Sequence, residues 1–135
     1  MTSQLTATTE QPYLARRQNW TNQLARHALM QPDATALRFM GRTTTWAEFD
    51  HRVTKLADAL HRRGVKFGDR VMILMLNRPE FIEATLAANQ LGGAIAVPVN
   101  FRLTPPPELV FLVQDCEAAV LVTETVLADV AKAVR

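Results

Sequence analysis

From residue 19 onward the hydrophobic positions keep two periods, one helical and one of strands. In NWTNQLARHALM, residues 19–30, Trp20, Leu24, His27 and Ala28 share one helical face, and Gln31-Pro32-Asp33 ends the segment. ALRFMG and RTTTW then predict two short strands around Gly41-Arg42, with Thr43 and Thr45 pointing outward. Thr45 and Glu48 have capping-box spacing, and Trp46, Phe49, Val53, Leu56, Ala57 and Leu60 follow at helical intervals as far as Gly64. VMILML, residues 71–76, is apolar on both alternating faces, which predicts a strand covered above and below.

The alternation continues to the end of the chain. Asn77, Pro79 and Glu80 predict a helix capped by Asn77 and running to Leu91, with Ala84, Ala87 and Ala88 small enough for close packing on a sheet. Ala94 to Val99 predicts a second covered strand, and Leu109, Leu112, Val113 and Cys116 stripe the next helix. Ala119 to Val122 reads as a further strand, and Leu127, Val130, Ala131 and Val134 stripe a last helix. The order predicts a layered α/β domain with parallel strands and crossover helices.

Composition narrows the class. The chain has 135 residues, the size of one domain, and no apolar run near the ~18 residues that a membrane span needs. Residues 1–18 read as a polar tail without the features of a signal peptide, and the single cysteine, Cys116, has no partner for a disulfide. These features fit a cytoplasmic protein. Residues 1–70 hold 11 Lys/Arg against 6 Asp/Glu, whereas residues 71–135 hold 4 against 7. The basic first half leaves contact with an anionic membrane surface open. Its cations are scattered and no aromatic residues interleave with them, so no nucleic-acid partner is expected.

The chemistry-bearing residues are sparse. In open α/β sheets ligands bind beyond the carboxyl ends of the strands, which here are Asn77, Asn100 and Thr123. Each asparagine could bond a ligand or simply cap a helix or shape a turn, and the helical and turn roles weigh more. The sequence has no G-x-x-x-x-G-K-[ST] loop and no G-x-G-x-x-G after a strand. His27, His51 and His61 are expected at the surface, and Cys116 as apolar packing. No catalytic, cofactor-binding or metal residue is assigned.

Several segments resemble the start of the AMP-forming adenylating enzyme superfamily, which includes acyl-CoA synthetases, peptide-synthetase adenylation domains and beetle luciferases. HALMQPDATALRF is similar to the family's opening segment. TTTWAEFDHRVTKLADALHRRGVKFGDRVMILMLNRPEFIEATLAANQLGGAIAVPVNFRLT is similar to its first long helix, its Gly-Asp-Arg-Val strand and the small-residue helix that leads to Val-Pro-Val-Asn. The similarity runs from about Trp20 to the end, and PVNFRLTP and FLVQDC look most like fatty acyl-CoA synthetases. The resemblance implies residues 19–135 to be an incomplete AMP-binding domain of a fatty acid–CoA ligase. Such a ligase uses ATP, magnesium and coenzyme A to make an acyl-adenylate and then a thioester.

The family's phosphate loop, Thr-Glu motif, ribose-binding Asp, hinge and catalytic Lys all lie later than the region of similarity, so none is carried onto this sequence. The chain alone is expected to be inactive, and with sheet edges uncovered it is expected to self-associate. Two alternatives stay open: an independent α/β interaction module, and an unrelated small-molecule-binding domain using Asn77 and Asn100. Where the family commonly has T-P-P-E, this chain has Thr104-Pro105-Pro106-Pro107-Glu108. The extra proline puts Glu108 out of capping-box register, and predicts extended Pro105 and Pro106 with the helix beginning at Pro107.

Overall fold

A computed structural model of the chain describes residues 19–100, 102 and 106–134. The predicted tail, together with Thr104 and Pro105, lies outside them. Helix α1 spans Trp20–Met30, with Asn19 as its cap accepting a hydrogen bond from the Asn22 N–H at 2.8 Å. Strands β1 (Thr35–Phe39) and β2 (Arg42–Thr45) form an antiparallel hairpin. Its turn falls on Met40 and Gly41, both with positive φ (47° and 79°), one residue earlier than predicted. Left-handed angles at both central residues give the turn a twist that matches the strands.

Thr45 then caps the longest helix, α2 (Trp46–Arg62), through a reciprocal pair. Its hydroxyl accepts from the Glu48 N–H at 3.2 Å, and the Glu48 carboxylate accepts from the Thr45 N–H at 2.8 Å. The predicted stripe is the buried face: Phe49, Val53, Ala57 and Leu60 are all buried. His27 of α1 stacks on Trp46 with ring centroids 4.5 Å apart, so it is half-buried rather than a surface histidine.

The second sheet has three parallel strands in the order β4-β3-β5, formed by β3 (Arg70–Leu74), β4 (Ile95–Pro98) and β5 (Ala118–Thr123). Helices α3 (Pro79–Gln90), α4 (Pro106–Asp115) and the short α5 (Ala128–Lys132), which follows a 3₁₀ turn, connect and extend it. Central β3 is covered on both faces, as VMILML predicts. Val71 packs with Phe49, Val53, Leu86 and Ala87 of α2 and α3, and Ile73 with Ala84. On the opposite face Met72 and Leu74 pack with Val99 and Leu109, with Val113 and Cys116 against them.

Two boundary expectations need correction. Ala94 to Val99 is not a fully covered strand: among the described residues β4 is an edge with a neighbour on one side, and Ile95 is 51% exposed. Pro98 ends it, and a proline is tolerated there because an edge strand need not donate outward. Helix α4 begins at Pro106, not Pro107. The first N–H groups of any helix have no intrahelical acceptor, so two prolines in the first turn forgo no hydrogen bond.

Candidate functional site

At the carboxyl edge of the parallel sheet β3 continues into Met75, Leu76 and Asn77, β4 into Val99 and Asn100, and β5 into Glu124. Between the first two lies an open groove of about 480 Å³ lined by Asn77, Phe81, Val99, Asn100 and Arg102, among others. The structure thus brings Asn77 and Asn100 to one groove. It does not bring Thr123 there. That residue borders a separate apolar trough between β5 and α5, and its buried hydroxyl has no hydrogen-bond partner among the described residues.

The two asparagines have different local roles. The Asn100 side chain accepts from the Arg102 N–H at 2.9 Å, an Asx turn that shapes the chain after β4. Asn77 was expected to cap α3, but the cap residue is Arg78, which offers no side-chain cap bond. A proline at the first helical position sets the start at Pro79 and leaves Asn77 one residue too early. Asn77 is therefore exposed on the groove, relieved of the helical role that would have explained it.

Beside the groove runs a chain of ion pairs. The Glu124 carboxylate accepts from the Leu76 N–H at 2.5 Å and from Arg78 Nη1 at 2.7 Å. Arg78 Nε donates to Glu80 at 3.0 Å. Glu80 lies 3.8 Å from Arg52, whose Nε and Nη2 form a bidentate pair with Glu83 at 2.6 and 3.0 Å. The bonds to Glu83 raise the Arg52 pKa above its ordinary value, and those to Glu124 and Glu80 raise that of Arg78. Both guanidiniums stay charged. The network was missed from sequence because the links that tie it to Glu83 and Glu124 join residues 31 to 48 positions apart. One signal was available: Glu83 interrupts the small-residue face of Ala84, Ala87 and Ala88, where a lone carboxylate requires a partner.

Glu80 supplies a pH prediction. Burial pulls its pKa upward, but its own backbone N–H, Arg78 and Arg52 outweigh that and hold it below the ordinary value. A carboxyl depressed in the folded state contributes stability above its unfolded pKa, about 4.3, and that contribution is lost as pH falls through the folded value. Replacing Glu80 with Gln is expected to flatten the decline of the melting temperature below about pH 4.3. An unchanged slope in thermal melts across that range would count against the assignment.

Among the described residues no three His, Cys, Asp or Glu side chains stand together as a metal site requires. His51 and His61 are exposed on α2, and Cys116, directly after α4, is partly buried against the core. No helix among the described residues is long and apolar enough to cross a membrane.

Known proteins of similar sequence and fold point to one family. The family described as AMP-binding enzyme matches residues 24–135. A feruloyl-CoA synthase of Amycolatopsis is 45% identical over 97 residues, 72% of this chain and 19% of the synthase. The chain thus spans about a fifth of that relative's length. An uncharacterized protein of Mycobacterium tuberculosis is 31% identical over 130 residues, 95% of this chain and 73% of the relative. Among solved structures, a putative long-chain-fatty-acid CoA ligase from Rhodopseudomonas palustris superposes with a TM-score of 0.80 at 36% identity, over 89% of this chain and 30% of that one. The relatives named as CoA ligases or synthases differ in their acids and include an indoleacetate–CoA ligase of Aromatoleum aromaticum, 40% identical over 73% of this chain and 19% of the ligase.

Proposed function

Because the chain belongs to the AMP-binding enzyme family, we propose that it is the N-terminal part of an AMP-forming acid–CoA ligase. Such an enzyme joins a carboxylic acid to ATP as an acyl-adenylate, releases pyrophosphate, and passes the acyl group to coenzyme A with loss of AMP. The observation that supports the reading most is the superposition of this sheet and its helices on part of a CoA-ligase chain. In this reading residues 19–135 supply scaffold, and the groove bearing Asn77 and Asn100 is the surface that faces a ligand.

The residues present do not make a site for magnesium or for the phosphates of ATP. There is no phosphate-cradling loop in the sequence, and no carboxylate or histidine cluster among the described residues. No chemical step is therefore assigned to this chain, and nucleotide, metal and coenzyme A fall to later segments of the whole enzyme. The acid is proposed to be a fatty acid, on the wording of PVNFRLTP and FLVQDC. An aromatic acid is the second reading, favoured by the identity to feruloyl-CoA synthase. The outer edges of β4 and β5, unpaired among the described residues, support self-association of the chain by itself. A cytoplasmic setting, with the basic first half near an anionic surface, belongs to the same reading.

The test is ATP–pyrophosphate exchange by the protein expressed from the longest reading frame that contains this segment, with palmitate, with ferulate and without acid. Stimulation by palmitate is expected. Stimulation by ferulate alone moves the reading to aromatic acids, and exchange with neither overturns the ligase proposal. The 135-residue chain alone is expected to show no exchange. Activity from it would overturn the placement of the chemistry in later segments and favour neither the scaffold reading nor an interaction module of the size of the M. tuberculosis relative.

A further inference from the structure

We propose that Arg78 and Glu124 are positioning residues of the carboxyl-edge groove, fastening the bend between β3 and α3 so that Asn77 is presented to a ligand. The inference rests on the reading of that groove as the ligand-facing surface. It starts from a residue that is wrong for its local place. Arg78 is the cap of α3, where Ser, Thr, Asp or Asn would satisfy an orphan N–H and where a cation meets the positive end of the helix dipole. Helix energetics alone therefore give no reason for an arginine there, with Asn77 next to it in the chain.

The tertiary contacts supply the reason. The Glu124 side chain is 7% exposed and stands directly after β5. One of its oxygens takes the Leu76 N–H at 2.5 Å, and the other takes Arg78 Nη1 at 2.7 Å. The same guanidinium donates through Nε to Glu80 at 3.0 Å, so it is held from two directions. Residues 76 and 78 are thus both bonded to the end of β5, some 46 to 48 residues away in sequence. Asn77 stands between these anchored neighbours. Asn77 lines the groove, and the bonds on either side fix the course of the backbone that carries it.

Two consequences separate this device from an ordinary ion pair. A charge swap of Arg78 and Glu124 cannot restore it, because an arginine at 124 has no acceptor for the Leu76 N–H. Lysine at 78 is also a poor substitute, because a single ammonium lacks the planar fork that spans Glu80 and Glu124.

The experiment uses the 135-residue chain and follows two signals by nitrogen-15 NMR: the Asn77 side-chain amide and the hydrogen exchange of the Leu76 N–H. In Arg78→Ala the Asn77 amide is expected to shift, and in Glu124→Ala the Leu76 exchange is expected to accelerate about tenfold or more, the equivalent of one charge-assisted hydrogen bond. Glu124→Gln keeps an acceptor for Leu76 but loses the charge facing Arg78, so it should move Asn77 with less effect on exchange. Arg62→Ala, which removes the exposed pair between Arg62 and Asp58, should leave both signals in place.

A purely structural pair would lower the melting temperature without moving the Asn77 signal in folded Glu124→Gln, where no chain neighbour of Asn77 is changed. An Asn77 amide that coincides with the parent's in folded Arg78→Ala and Glu124→Gln overturns the proposal. If the alanine variants do not fold, the milder Arg78→Lys and Glu124→Gln decide it by the same signal. Neither readout needs ATP, acid or coenzyme A, so a failed exchange assay leaves this result standing and a failed NMR result leaves the ligase reading untouched.

Discussion

Leu74→Ala is expected to destabilise the chain by about 2 to 5 kcal/mol. Leu74 ends the central strand with no exposed surface and packs with Met72, Val99 and Leu109. Strands β4 and β5 bond β3 on both sides, so the backbone around the lost side chain cannot close in. The transfer term and the cavity term therefore add. The denaturant midpoint should fall with little change in slope, and the melting temperature by on the order of 10 °C. Leu112 of α4, which shares the predicted stripe but is 39% exposed, provides the contrast: its replacement should cost well under ~1 kcal/mol. A loss at Leu74 no larger than that at Leu112 would mean that the α4 face is not packed as described.

The second large effect is expected at Arg52. It makes a bidentate bond to Glu83, whose side chain is 7% exposed amid the alanines of α3. Arg52→Ala removes that bond and leaves a buried carboxylate uncompensated, an error that costs more than the pair itself contributes. Arg52 is itself 47% exposed, so water reaches part of the gap and reduces the cost to about 2 kcal/mol. Adding Glu83→Leu to Arg52→Ala should recover much of the loss, because an apolar side chain suits the site once the guanidinium is gone. Equilibrium unfolding of both single variants and the double variant measures the coupling. Strict additivity would sink the claim that the two residues act as a pair.

Arg52 and Glu83 also mark where a reading of the sequence ends. The capping box of Thr45 and Glu48 was legible because both partners lie within one turn, and the buried stripe of α2 because each of its residues follows the helical period. The family-like segments led to the correct superfamily for a similar reason: they are contiguous wording. Asn77 was misread as a cap because sequence spacing weighs local bonds alone, whereas the start of α3 was set by Pro79 and the bend before it was bonded to Glu124. The pairing of Asn77 with Asn100, and the separation of both from Thr123, depended on which strands lie side by side.

Periodicity and turn residues therefore specified where the helices and strands fall and which faces of α2 and β3 are buried, since each reflects interactions within a few residues. The position of β3 between β4 and β5, the exposure of β4 as an edge, the groove and the ion-pair chain from Glu124 to Glu83 followed only once the chain had packed. Those features join residues tens of positions apart. Their energies depend on distance and burial in space, which no local pattern encodes.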